Sequence, residues 1–308
     1  MNLFDVTRKL SVLFLIVLSI IGCGNKESLD LLTTVGIEVT DPTANIVTEI
    51  TDDVWQSMAF YRERSISYYE TVRRTHPTPE NIELYEQKLA AAEAFGEEQE
   101  TYFKRQIVAD GVEIIGNDQV PDWLFREAKE VLLIMTSKHT EILRDPLKER
   151  FYTILTFHLE DVPELKYIGR ADEGVSTCIV GHNLPHLHGF CVSQIGHPGN
   201  RYLRTFVHET THAIDIMMHF HDPTFTSRLQ EAYQNALEKG IWDNYIYHRL
   251  YEERYLEYWA ELVEIWFFDV GEGRPFETTE DLEKRDPLGT ALLKQWFPQV
   301  SFYESITP

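Results

Sequence analysis

Residues 203–218 read Leu-Arg-Thr-Phe-Val-His-Glu-Thr-Thr-His-Ala-Ile-Asp-Ile-Met-Met. His208 and His212 are four apart, so on a helix they share one face, about one turn from each other. Two imidazoles at that spacing can bind a single zinc ion, with Glu209 placed beside a metal-bound water. A polar stripe on a surface helix is the alternative reading. The flanks argue against it. Leu203, Phe206, Val207, Ala213, Ile214, Ile216, Met217 and Met218 make the helix largely apolar, so much of it should be buried. Two histidines and a glutamate buried without partners would be costly, and metal ligation removes that cost.

A third ligand must come from elsewhere, and Glu257-Tyr258-Trp259-Ala260-Glu261 offers one. The pattern predicts a helix from about Glu252 to about Asp269, ended by Gly271. Glu257, Glu261 and Glu264 fall on one face at i, i+4 and i+7, among apolar neighbours such as Leu256, Leu262, Val263 and Trp266. Like charges at that spacing repel, and burial worsens the repulsion. A cation facing them accounts for their presence. Glu257 is the expected third ligand to one Zn2+, and Glu261 the carboxylate that orients a ligating histidine. Glu264 is read as part of a solvated acidic stripe.

These two motifs resemble the gluzincin metallopeptidases, and more closely the family of the anthrax lethal factor catalytic domain and the Pro-Pro endopeptidase-like proteins. The family's zinc helix reads HExxHAxD, matched by His208 to Asp215. Its second helix reads E-[FY]-[FW]-A-E, matched by Glu257 to Glu261. A weaker likeness covers roughly the last two-thirds of the chain, through Val120-Pro121-Asp122, Val162-Pro163-Glu164-Leu165 and Asp281 to Pro287. The resemblance implies a zincin-like fold and the same ligand roles for Glu257 and Glu261. It also implies a tyrosine, seven residues before the ligand glutamate, that donates a hydrogen bond to the developing oxyanion. That position holds Leu250 here; Tyr251, one residue later, is the provisional donor.

The expected chemistry is peptide hydrolysis by a metal-activated water, with Glu209 as general base and a protein or peptide as substrate. Asp215 is expected either to hold a ligand histidine's second nitrogen or to cap a neighbouring segment. A catalytically inactive zinc-binding surface lipoprotein, acting in protein interaction, is the competing expectation, and Leu250 is what favours it.

The chain opens with Arg8-Lys9 and an apolar run from Leu10 to Gly22, too short for a comfortable membrane span. Ile20-Ile21-Gly22-Cys23 resembles a bacterial lipobox, which implies an exported, membrane-anchored lipoprotein with its lipid on Cys23. Losing residues 1–22 would leave the formal charge of −22 one unit more negative. So acidic a chain is a poor nucleic-acid binder and is repelled by anionic lipid, so a covalent anchor makes physical sense. Cys178 and Cys191, thirteen apart, suit either a disulfide across a hairpin or loop or a pair of buried thiols.

The expected fold is α+β and mostly helical, with a small mixed sheet. Residues 1–22 form a signal peptide, 23–53 a lipidated tether, 54–110 a helical N-terminal region and 111–308 the metallopeptidase domain. Within these, helices are expected from Val54 to about Arg74, from Thr78 to about Gln106 and from Pro121 to about Leu143. Strands are expected at Val112–Ile115, Phe151–Leu159, Thr177–Val180 and Phe190–Ile195, and a further helix at Thr226–Glu238. His182 to His188, rich in histidine but with Pro185 among glycines, reads as a polar loop near the active cleft rather than a second metal site.

Overall fold

Alternate residues along Arg150–Thr156 enter two different cores. Phe151 and Leu155 join one; Tyr152 and Ile154 join the other. A strand lined on both faces by apolar side chains belongs in the middle of a sheet covered on both sides. The computed structural model, which describes residues 45–168, 176–183, 186–195, 203–242, 254–268, 275–276 and 278–302, places it there.

Six strands make the sheet: β1 (Thr48–Glu49), β2 (Arg105–Ala109), β3 (Val112–Gly116), β4 (Arg150–Thr156), β5 (Thr177–Asn183) and β6 (His186–Gln194). Their order is β1-β2-β3-β4-β6-β5. The central strands β3, β4 and β6 run parallel, while β1, β2 and β5 are antiparallel to their neighbours. The helices are α1 (Asp52–Thr75), α2 (Pro79–Tyr102), α3 (Asp122–Met135), α4 (Thr140–Leu143), α5 (Pro163–Ile168), α6 (Arg204–His221), α7 (Phe225–Glu238), α8 (Arg254–Phe268), α9 (Thr279–Arg285) and α10 (Pro287–Trp296). The fold is α+β. Among the described residues no helix is long and apolar enough to cross a membrane.

The pleat decides which helices cover which face. Ile114, Phe151, Leu155, Leu187 and Cys191 point to the larger core, with α3, α6, α7, α8 and α10. Ile115, Tyr152, Ile154, Phe190 and Val192 point the other way, onto Val54, Met58 and Tyr61 of α1 and Leu165 of α5. Gly189 interrupts β6 at φ 138°, and a Cβ there would sit 2.0 Å from the carbonyl oxygen of Ile179. Only glycine fits that approach.

Several expected boundaries move. The second helix ends at Tyr102 rather than near Gln106, and residues 105–109 become β2. Asp110 and Gly111, at φ 48° and 87°, turn the chain into β3. The boundary expected between 54–110 and 111–308 falls inside this hairpin, so one sheet runs across it. The helix expected to reach Leu143 stops at Met135, where the Thr136 hydroxyl bonds back to the carbonyl of Leu132 at 2.8 Å. His182 to His188 is not a loop throughout: His182 and Asn183 end β5, while His186 and His188 begin β6. His188 packs edge-on against Phe60 of α1, on the face of the sheet away from α6. The signal segment, Cys23 and residues 24–44 of the expected 23–53 tether lie outside the described residues; the end of that span is not a tether, because Thr48–Glu49 pair with β2 and α1 begins at Asp52.

Candidate metal centre

The centre forms where α6 crosses α8. On α6 the apolar residues Phe206, Val207, Ala213, Ile214, Met217 and Met218 are buried, which turns the helix so that His208 and His212 face α8. α8 is enclosed almost all round: every residue from Tyr258 to Phe268 is buried, Glu261 and Glu264 included. Its first turn brings Glu257 to the histidines.

Oε2 of Glu257 lies 3.2 Å from Nε2 of His208, and Oε1 lies 3.6 Å from Nε2 of His212. The two imidazoles stand 5.0 Å apart, centre to centre, at 77°. One ligand atom from each of the three residues falls within 4.8 Å of the other two. Ligands about 2.05 Å from a tetrahedral zinc ion are roughly 3.4 Å apart, a value that the two distances from Glu257 bracket. Exposures of 14%, 19% and 20% for His208, His212 and Glu257 leave the site open to solvent on one side. Glu209 is buried on the same helix, near enough to His208 for its charge to act on the imidazole.

The electrostatics reflect how many carboxylates converge here. Burial disfavours a charge on His208, but Glu257 and Glu264, with the charges of Glu209 and Glu261 behind them, hold its proton affinity well above the ordinary imidazole value. His212 goes the other way, to about 4, through burial and then the charge of His208. Burial and the neighbouring Glu264 raise Glu261 well above the usual carboxylate range. Anions gathered this closely favour a cation between them.

His208, Glu209, His212, Glu257 and Glu261 therefore come together as the sequence spacing predicts. Oε1 of Glu261 is 3.8 Å from Nδ1 of His208, the nitrogen that faces away from Glu257. Asp215 is buried one turn further along α6. Tyr251 lies outside the described residues. Glu264 departs from expectation. It is buried rather than solvated, because Arg204 meets it: Nε of Arg204 donates a 2.7 Å hydrogen bond to its Oε1. Arg204 is the site residue that sequence reasoning missed. Its signal was present, a cation four residues before His208 on an otherwise apolar helix.

Cys178 and Cys191 pair directly across β5 and β6 and are joined by a disulfide. Sγ of Cys191 lies 3.2 Å from the carbonyl oxygen of Glu209, so the bridge rests on the histidine helix.

No protein-family model, no curated protein and no solved structure matches this chain.

Proposed function

We propose that the protein is a zinc-dependent peptidase with a zincin-like catalytic domain, as the resemblance of its two helix motifs implies. The observation that carries the reading is the convergence of His208, His212 and Glu257 on one point, with Glu209 on the same helix as the histidines. His208, His212 and Glu257 would hold the metal. Zinc, when bound there, supplies Lewis-acid polarisation of a carbonyl and makes water acidic enough to ionise near neutral pH.

The chain's own residues do the rest. Glu209 is an acceptor that takes the proton from the attacking water and returns it to the departing amine nitrogen. Its burial keeps that proton from exchanging freely with solvent. Glu261 and Glu264 lie behind His208 and bias its far nitrogen, Nδ1, to carry hydrogen, which leaves Nε2 free for the metal. Tyr251 is the proposed oxyanion donor. The substrate is a peptide or protein, and the lipobox at Cys23 makes the enzyme an exported, membrane-anchored lipoprotein.

Leu250, standing where the resemblance implies a tyrosine, favours the second reading of an inactive zinc-binding surface lipoprotein. Metal analysis by mass spectrometry and a peptide-library assay, on the wild type, His212→Ala and Glu209→Gln, separate the two. The peptidase reading expects one zinc per chain, lost in His212→Ala, and turnover lost in Glu209→Gln with zinc kept. Zinc without turnover in the wild type supports the inactive protein. No stoichiometric metal after a zinc-replete preparation defeats both.

A further inference from the structure

Four carboxylates and one guanidinium surround His208, and their connections are unequal. Arg204 sits one turn before His208 on α6; Glu264 lies two turns after Glu257 on α8. Their side chains are 7% and 4% exposed. Nε of Arg204 donates to Oε1 of Glu264 at 2.7 Å, and Nη2 lies 2.6 Å from the same oxygen. The other oxygen, Oε2, is left turned towards His208, 3.7 Å from Nδ1. Glu261 approaches the same nitrogen at 3.8 Å, by Oε1.

An imidazole Nδ1–H donates one strong hydrogen bond, and a metal-ligating histidine normally gives it to a carboxylate, carbonyl or water. Two carboxylates compete for it here. They differ in what holds them. The guanidinium anchors Glu264 on one oxygen, and because both groups are buried the pair is little screened and has few alternative arrangements. A buried charge left alone would be costly, so the two groups fix each other.

We infer that Arg204 and Glu264 are positioning residues for the metal: Arg204 locks Glu264 by one oxygen so that the other, Oε2, takes the Nδ1 hydrogen bond of His208 and aims Nε2 at the ion. This deepens the metal-centre reading and rests on it. Residue 204 then acts on the ion through two intervening side chains, without touching it, and Glu264 shares the work first expected of Glu261 alone.

The test measures zinc affinity by competition with a chromophoric chelator. It uses the purified protein and its Arg204→Lys, Arg204→Met, Glu264→Gln, Glu261→Gln and Arg204→Met/Glu264→Gln variants. Circular dichroism confirms that each variant is folded. Glu264→Gln, which keeps the shape, is expected to weaken zinc about 10- to 100-fold, as loss of such a carboxylate does elsewhere. Arg204→Lys should recover part of what Arg204→Met loses, and Glu261→Gln reads the share of the second carboxylate. If Arg204→Met alone does not fold, the double variant removes both buried charges together and should still bind zinc weakly. Wild-type affinity in a folded Glu264→Gln or double variant overturns the inference while leaving the metal centre intact. Failure of the wild type to bind zinc removes the metal centre itself, and the inference with it.

Discussion

The hydroxyl of Tyr258 donates a 2.6 Å hydrogen bond to Oδ2 of Asp286, in the interior, one residue along from the proposed ligand Glu257. The other oxygen of Asp286 accepts from the backbone N–H of Gly289 at 3.1 Å and so caps α10. The space is tight: a Cβ on Gly289 would come within 2.5 Å of that hydroxyl. This contact ties the rotation of α8, and hence the direction of Glu257, to α10. Tyr258→Phe keeps the ring but leaves a buried carboxylate short of a donor. A loss of about 1–3 kcal/mol is expected in urea unfolding, together with weaker zinc binding. Unchanged stability would show that Asp286 is satisfied without Tyr258.

A second buried carboxylate gives a pH signature. Burial pushes Glu164 up to about 8, against the hydrogen bonds from Gln99, its own backbone and Tyr152. The folded protein therefore binds this proton more tightly than the unfolded chain does. Stability from the group is full below about pH 4.5 and is lost as pH rises towards 8. Gln cannot ionise, so Glu164→Gln should gain on the wild type as pH rises, by a few kcal/mol, on the order expected for such a shift. Thermal melts at pH 5, 6.5 and 8 read the difference; a gap that stays constant with pH would be inconsistent with a buried neutral Glu164.

What was legible in the sequence was whatever repeats locally. His208, His212, Glu257 and Glu261 could be placed because helix spacing alone fixes which of them share a face. β4 was legible from its alternation, though not that both its faces would be buried. Long-range pairing could not be read. The helix pattern carries to about Gln106 and gives 107–109 no element; the ladder with β3 makes 105–109 one strand. Glu264 looked solvated because nothing near it in sequence is a cation; Arg204 is sixty residues away, and only the crossing of α6 and α8 joins them. His188 was expected near the cleft, but the pleat of β6 sends it to the α1 face.

The disulfide between Cys178 and Cys191 closes a short loop and pins edge strand β5 to β6 beside the histidine helix. Closing about fifteen residues in the unfolded chain is worth about 3 kcal/mol. Reductant should lower the unfolding midpoint of the wild type. A Cys178→Ala/Cys191→Ala variant should begin lower and show no response. Two titratable thiols in the unreduced, unfolded protein would instead mean that the bridge is not formed.

Metal should also act on stability, with a sign set by the carboxylates. Glu209, Glu257, Glu261 and Glu264 converge on His208, and Arg204 is paired with Glu264. Without a further cation their mutual repulsion opposes the packing of α6 on α8. A ligand that binds only the folded state at a hundred times its Kd contributes about 2.7 kcal/mol. For a chain of this size that corresponds to roughly 4–5 °C in Tm. Zinc added to chelator-treated protein should give a shift of this order, and renewed chelation should reverse it. His212→Ala removes one donor and should abolish most of the shift, whereas Glu209→Gln keeps all three ligands and removes one anion, so it should retain the shift. An equal response to zinc in His212→Ala would place the stabilising ion somewhere other than between α6 and α8.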